Sequence, residues 1–569
     1  MNQTRTLLFF ALMFVAYLLW TEWEKDYGPH PVAPTPAAQT DAAAGAGKAN
    51  ADASVPGTAA PATVPNETAA APTDGKGEQV TLSNDVLRLT IDTRGGSIVR
   101  SELLAYPDEP ATKTNPTPPP ARLLDDTPEH FFAAQDGLVS SNGAAPDHRA
   151  LFHAEKKEAT LADGQKSVSL DLTWTDASGV KVVKRYTLKR TDYVVDLDQR
   201  IENGSSAAWT GNAYHQLQRV PAPKANWFKA YTDPAQHSFF GAAWYSPENK
   251  FESLSFLDFA KKPLNHQITG GWISMLQHYF FVAWIPPADQ NVTYSSTIVD
   301  PNSATPRYLV RAFGPAIQVA PGQSADSVAR LYVGPKLQGT LDVIAPGLEL
   351  TSNYGWLTII AQPLHWLLSK LHAISGNWGV AIILLVLLIK AALFKLTDAQ
   401  FRSGARMRKL QPRVAALKER YGDDRMKMQQ AMMELYKKEK VNPMAGCLPI
   451  LITFPIFIGL LRVLSESIEL RQAPFFGWIH DLSAPDPLYV LPVLYFLVTL
   501  LTQRMMPTAG MDPTQAKMMK VMPLIFGVFF AFFPAGLVLY WTVNGATSLL
   551  QQWWINRSVD KAEIKARTA

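Results

Sequence analysis

Residues 378–396 read WGVAIILLVLLIKAALFKL, a run in which Lys390 and Lys395 are the sole charged side chains. A helix needs about 20 apolar residues to cross the ~30 Å hydrocarbon core of a bilayer. The stretch therefore predicts a transmembrane segment, and it decides how the rest of the chain is read. Four further apolar runs follow it: 446–464 (GCLPILITFPIFIGLLRVL), 488–503 (LYVLPVLYFLVTLLTQ), 517–533 (KMMKVMPLIFGVFFAFF) and 536–555. The runs 488–503 and 517–533 are short for a full bilayer, which implies local thinning. Pro534-Ala535-Gly536 predicts a tight turn between the last two.

Working outward towards the N-terminus, residues 356–376 read WLTIIAQPLHWLLSKLHAISG. Apolar residues recur there at helical spacing, with Ser369, Lys370 and His372 among them. An amphipathic helix over 350–372 lying in the membrane interface is expected; a helix packed on the preceding domain is the other reading. From 79 to 345 the period changes to two, as in Leu87-Arg88-Leu89-Thr90-Ile91 and Val168-Ser169-Leu170-Asp171-Leu172. Turn signals such as Gly95-Gly96, Asp163-Gly164 and Asn203-Gly204 punctuate it. The pattern predicts a large antiparallel β-sandwich. Its histidines, His130, His148, His153, His215 and His237, show no ligand spacing and read as ordinary surface or core residues. Residues 25–78 are rich in Ala, Pro, Thr and Gly and predict a disordered linker. Residues 7–20 (LLFFALMFVAYLLW) form a short apolar run followed by Thr21-Glu22-Trp23-Glu24, with no small-x-small cleavage site. An uncleaved anchor over 1–24, belted by Trp20 and Trp23, is expected rather than a signal peptide.

These halves explain the average composition. Of 569 residues 18% are charged and 47% hydrophobic, with mean hydropathy −0.03, a mixture of a polar and a membrane-borne part. A net charge of +4 excludes a histone-like polycation, and direct nucleic-acid specificity is not expected. One cysteine, Cys447, excludes an intrachain disulfide framework and a Cys-rich metal site.

Positive charge sets the orientation. Residues 397–440 hold twelve Lys and Arg, whereas 465–487 hold Arg471 alone. The segments 397–440 and 504–516 and the short basic tail 558–569 are therefore expected in the cytoplasm. With the anchor this gives six spans, both termini cytoplasmic, and the β domain on the outer face.

Two features suggest chemistry. Lys390 lies within an apolar run, where an ammonium at membrane depth costs about 2.5–3.5 kcal/mol on insertion scales. It either faces a wet cavity or snorkels to the cytoplasmic surface. The segment 397–440 carries apolar residues at Leu410, Val414, Leu417 and Tyr421, breaks at Gly422-Asp423-Asp424, and resumes at Met428 and Met432. That spacing predicts a helical hairpin, serving as a positive-inside loop or as a docking platform through Arg402, Arg406, Arg408, Lys409, Arg413, Lys418, Arg420, Asp423 and Asp424. Anionic lipids, a ribosome or a targeting factor are the expected partners. Polar groups at depth, Thr453, Thr499, Thr542, Asn544 and Ser548, fit interhelical hydrogen bonding. The spans lack an Asp/Glu/His chain, HExxH, GxSxG and an Asp pair, which argues against a proton-coupled transporter and a membrane protease.

Specific strings carry a resemblance. They include Asn353-Tyr354-Gly355-Trp356-Leu357, Gly376-Asn377-Trp378-Gly379, Glu419-Arg420-Tyr421-Gly422-Asp423-Asp424, Gly446-Cys447-Leu448-Pro449, Glu469-Leu470-Arg471-Gln472-Ala473-Pro474, and Phe533-Pro534-Ala535-Gly536-Leu537-Val538-Leu539-Tyr540. Spread over nearly all of 353–557, they closely resemble the YidC/Oxa/Alb insertases, in the Gram-negative form with a large periplasmic domain. The resemblance implies a polytopic inner-membrane protein that inserts and folds nascent membrane proteins, alone or with the Sec translocon. No cofactor and no covalent catalysis are implied. It implies a five-helix core over 376–557 enclosing a hydrophilic groove open to cytoplasm and lipid. The groove cation, usually Arg, falls on Lys390, and Thr453 stands where related members have Gln. Tyr540, Thr542 and Asn544 would complete the polar lining. Phe454, Phe457, Met505, Phe529 and Phe530 would form an apolar slide for the substrate. Ribosome and signal recognition targeting machinery are the implied cytoplasmic partners.

Overall fold

Period-two alternation is visible strand by strand in the computed structural model. Along Leu87–Asp92, Leu87, Leu89 and Ile91 are buried and Arg88 is exposed. The structure describes residues 77–110, 115–222, 238–352, 354, 357–422, 424–439, 448–505 and 513–568. The expected anchor 1–24 and all but the last two residues of the linker 25–78 lie outside the described residues, as do His237, Asp423 and Cys447. The described residues divide into a β-rich unit, within 77–362 and 461–484, and a helical unit, within 363–460 and 485–568.

In the β-rich unit two sheets, of ten and nine strands, enclose one core. Val194–Asn203 lies between Val180–Lys189 and Ser324–Pro335, with Leu197 opposite Tyr186 on one side and Ala329 on the other. Pairing between the described strands is antiparallel except where Thr81–Ser83 runs parallel to Glu158–Thr160. Trp272–Leu276 and Phe280–Ile285 show no alternation, being buried throughout. Strands covered on both faces read as continuous apolar runs. Gly95 has φ +77° and a Cβ there would lie 2.0 Å from the His148 carbonyl oxygen, so the turn requires glycine. The core holds a buried ion pair: Lys184 Nζ lies 2.5 Å from Asp136 Oδ2 and donates to the carbonyls of Gly95 (2.6 Å) and Asp136 (3.0 Å). Tyr186 Oη lies 2.7 Å from the Gly96 carbonyl oxygen. His148 meets the Tyr214 hydroxyl at 2.7 Å, and His215 is buried with its ring 4.8 Å from that of Trp284.

Residues 461–484, expected within the helical core, pack with the β-rich unit instead. Ser238 Oγ donates to Glu466 Oε2 (2.9 Å), and His278 Nε2 lies 2.8 Å from the Ser465 carbonyl oxygen. The Arg471 guanidinium donates to the carbonyls of Pro107 (2.7 Å) and Asp108 (3.0 Å), while Ile468 enters the apolar core. Chain order favoured the helical core; these polar contacts and the burial of Ile468 override it.

The helical unit contains α1 (Thr358–Ser375), α2 (Trp378–Ala392), α3 (Phe394–Lys409), α4 (Gln411–Tyr421), α5 (Arg425–Lys438), α6 (Leu448–Glu466), α7 (Val490–Arg504), α8 (Pro513–Phe530) and α9 (Ala535–Thr568), with the first turns of α1 and the last of α6 falling to the β-rich unit. The expected interfacial helix 350–372 starts later, because Leu348–Thr351 is a separate buried 3-10 turn. Ile359, Trp366 and Ile374 stand exposed along α1. The expected span 378–396 breaks at Leu393, where α2 and α3 meet at 70°. The turn before α9 lies at 531–533, three residues earlier than expected, because the Pro534 carbonyl accepts from Leu537 (3.0 Å) and Val538 (3.1 Å) and so begins the helix. The tail 558–568 continues α9, since Ala, Glu, Lys and Arg favour helix. Prolines lie inside α1 (Pro363), α6 (Pro455) and α8 (Pro523). Among the described residues no single helix is long and apolar enough to cross a membrane; the bent pair α2–α3 meets that test jointly, and Val490–Arg504 and Val521–Phe530 are shorter apolar helices.

Candidate functional site

The site begins with the entry to α2. Gly376, at φ +67°, ends α1, and Asn377 caps α2 by accepting from the Val380 N–H at 3.1 Å. The His372 ring stacks on Trp378 at 3.9 Å, fixing the corner. Along α2 the buried residues Gly379, Ile382 and Val386 form a stripe at helical spacing. Lys390 continues that stripe one turn on. Its Nζ donates to Ser548 Oγ on α9 at 2.5 Å, and Ser548 Oγ in turn donates to the Asn544 carbonyl at 2.8 Å.

Lys390 opens onto a cavity of about 500 Å³. Thr453, Tyr540 and Asn544, expected as polar lining, line it, and Phe454 and Phe457 of the expected slide join them. Phe457 stacks against Tyr540 (6.1 Å) and Trp541 (5.9 Å). Four expectations are corrected. Thr542 is 8% exposed, its hydroxyl donates to the Val538 carbonyl at 2.8 Å, and it is not among the residues that line the cavity. Phe530 is 4% exposed and packs on Trp541 at 3.9 Å and Tyr495 at 4.6 Å, so it is an interior packing residue. Phe529 is exposed beside Phe533, and Met505 caps α7; neither lines the cavity.

Sequence reading missed Thr397, Gln400, Tyr495, Trp541 and Gln552 as lining residues, and read Ser548, which also lines the cavity, as the interhelical hydrogen-bonding group that it is toward Lys390. The signal was present on α9, where Trp541, Gly545, Ser548 and Gln552 recur at helical spacing and define one face. Thr542 falls off that face.

The hairpin residues occupy α3, α4 and the start of α5. Arg402 pairs with Asp398 one turn back (2.7 Å), and Arg413 pairs with Glu439. Arg406, Arg408 and Lys409 sit in the last turn of α3, where cations oppose the negative end of the helix dipole. Arg420 lies over the ring of its neighbour Tyr421 at 5.5 Å. Asp424 caps α5, accepting from the Lys427 N–H at 3.1 Å, and that hydrogen bond holds its carboxyl below the usual carboxylate range. The Lys418 side chain and Asp423 lie outside the described residues.

With this geometry in hand, comparison with known proteins is decisive. The family described as "YidC periplasmic domain" matches residues 79–367, and that described as "60Kd inner membrane protein" matches 370–562. The chain belongs to the YidC family. A YidC membrane protein insertase of Thioalkalivibrio sulfidiphilus is 43% identical over 99% of this chain and 100% of its own length. Another, from Xanthomonas campestris pv. campestris, is 47% identical over 98% of this chain and 97% of its own. A solved structure, an active YidC insertase with its first transmembrane domain resolved, shares 19% identity and covers 83% of this chain and 91% of its own, at a TM-score of 0.36. As in the YidC family, this chain is an inner-membrane protein with a periplasmic domain, here the β-rich one.

Proposed function

We propose that the chain is a membrane protein insertase that moves nascent segments into the inner membrane without covalent chemistry. The observation that carries this is the cavity beside Lys390, where Thr453, Thr499, Asn544 and Ser548 supply polar groups in a lining that is otherwise largely apolar, Phe454 and Phe457 included. A polar flank entering hydrocarbon bare loses its hydrogen bonds with water, at several kcal/mol per unmet group. A polar cavity at membrane depth shortens that path, and the Lys390 ammonium attracts acidic residues in the flank. The apolar segment of the substrate then leaves along Phe454 and Phe457 into lipid.

The proposed topology has six spans, with the N-terminal anchor and the five apolar runs of 376–557, both termini cytoplasmic and the β domain periplasmic. The bent α2–α3 pair supports the first core span, whose 70° turn lets the basic α3 leave the membrane. The exposed arginines of the 397–440 hairpin form the docking face for ribosome, signal recognition machinery and anionic lipids. The Sec translocon is a further partner.

Photo-crosslinkable residues at 457 and 544 of the full chain test this with a stalled single-span nascent chain. Adducts from both positions, and none from exposed Lys261 of the β domain, are the expected result. Equal adducts from all three positions, or none from 457 and 544, would overturn the reading.

A further inference from the structure

Between α6 and α7 the chain forms a rigid turn that presents aromatic side chains outward. Phe475 N donates to the Ile479 carbonyl (2.9 Å) and Ile479 N to the Phe476 carbonyl (3.3 Å), closing the loop Phe475–Ile479. Its tip, Phe476-Gly477-Trp478, needs Gly477 at φ +62°, and a Cβ there would meet nothing within 4 Å. Phe476 is 63% exposed and Trp478 38%.

The base holds that tip in place. Ile479 and Leu482 are buried, and Leu482 N donates to the Ala473 carbonyl at 3.0 Å. Asp481 Oδ1 accepts from the backbone N–H of Gln472 (2.9 Å) and Ser483 (2.8 Å) and from the Ser483 hydroxyl (2.7 Å). The charges flanking the tip are thus engaged locally: Asp481 on this turn, Arg471 on the carbonyls of Pro107 and Asp108. Residues 475–479 carry none. An uncharged tip of exposed aromatic side chains on a rigid base suits one environment above others, the boundary between lipid headgroups and acyl chains.

We propose that the Phe476–Trp478 turn is a lipid-interface wedge, seated in the outer leaflet of the membrane. This rests on the proposed topology, in which 467–489 joins two spans at the outer face. The occupant is the lipid itself. Chain continuity selects it, because residues 467–489 connect α6 to α7, the segments proposed to leave and re-enter the bilayer.

The test uses the full chain in vesicles of phosphatidylethanolamine and phosphatidylglycerol, with Cys447→Ser as background. An environment-sensitive fluorophore is attached at Phe476→Cys, with Trp478→Cys as a second site in case the first fails to fold. Labels at Leu497→Cys, on the exposed apolar face of α7, and at Lys261→Cys serve as references. Expected is quenching of the tip label by headgroup-proximal nitroxide lipids, with at least a threefold loss of iodide quenching relative to position 261. Quenching by iodide equal to that at 261 overturns the proposal. So does a label shielded from iodide yet untouched by nitroxide lipid, which would assign the turn to a protein partner. If Leu497 also escapes lipid quenching, the proposed topology falls too; if Leu497 is quenched and the tip is not, the wedge alone fails.

Discussion

Lys390 and Ser548 meet 158 positions apart in sequence, Nζ to Oγ at 2.5 Å, and so tie α2 to α9 at the wall of the cavity. The hydroxyl directs the ammonium without neutralising it. Hydrogen bonds to charged groups contribute about 1.5–3 kcal/mol. Ser548→Ala is therefore expected to lower insertion of a single-span substrate with an acidic flank by about tenfold, with Ser548→Thr close to wild type. Lys390→Ala is expected to lower it further and Lys390→Arg to preserve it, since the charge is what attracts the flank. Protease protection of the translocated flank measures all four. Equal insertion by wild type and Lys390→Ala sinks the role of the charge.

The buried Asp136–Lys184 pair should behave asymmetrically. Removing one partner strands a charge in the core, at about 3–5 kcal/mol. Burial pushes the Asp136 carboxyl up and the Lys184 ammonium down, so each depends on the other to remain charged. Lys184→Met is expected to lower the thermal transition of the β-rich unit strongly, and the double variant Asp136→Leu/Lys184→Met to recover most of that loss. Scanning calorimetry distinguishes the outcomes.

His215 gives a pH dependence. Burial holds its imidazole down at about 3, so the folded protein keeps it neutral while the unfolded chain takes up a proton below about 6.5. Stability tied to this residue is present in full above the unfolded value and lost as pH falls towards 3. Between pH 6.5 and 4.5 the loss amounts to about 2–3 kcal/mol. His215→Phe, which keeps a ring beside Trp284, is expected to flatten that part of the curve by one proton. Urea midpoints at the two pH values report the slope; an unchanged slope removes His215 as its source.

Arg471 offers a test of how 461–484 is held. One guanidinium nitrogen serves two carbonyls, those of Pro107 and Asp108. Arg471→Ala takes the guanidinium from the Asp108 carbonyl, while the Pro107 carbonyl keeps the Gln472 side-chain amide at 3.0 Å, and is expected to cost about 1.5–3 kcal/mol. Lysine, a point charge on a flexible stem, should restore only part of this. Hydrogen exchange at Leu470–Ala473 is the readout, with faster exchange expected in the alanine variant.

Much of this was legible in the chain. The alternation of Leu87, Leu89 and Ile91 predicted strands, and the depth of Lys390 predicted a partner or a cavity. The strand Phe280–Ile285 was less so, because burial on both faces erases alternation. The bend at Leu393 left no mark, since Ala391, Ala392 and Leu396 all favour helix. Polarity alone placed Thr542 beside Tyr540 and Asn544; helical phase separates it, because two residues along a helix turn a side chain by about 200°. Phe530 shows the same limit for apolar residues, as nothing in its identity distinguishes packing on Trp541 from facing lipid. The docking of 461–484 needed a partner surface distant in sequence.

Pro455 stands between Phe454 and Phe457, in the part of α6 that lines the cavity. A helix with an internal proline has already given up a main-chain hydrogen bond and meets a steric obstacle at the preceding turn. Flexing at that point breaks nothing further. The phenylalanine-bearing wall is thus the compliant one, a hinge built into the lining itself. In the proposed insertase, bending there would let the aperture adjust to segments of different bulk, while Lys390 and Ser548 hold α2 to α9 on another part of the wall.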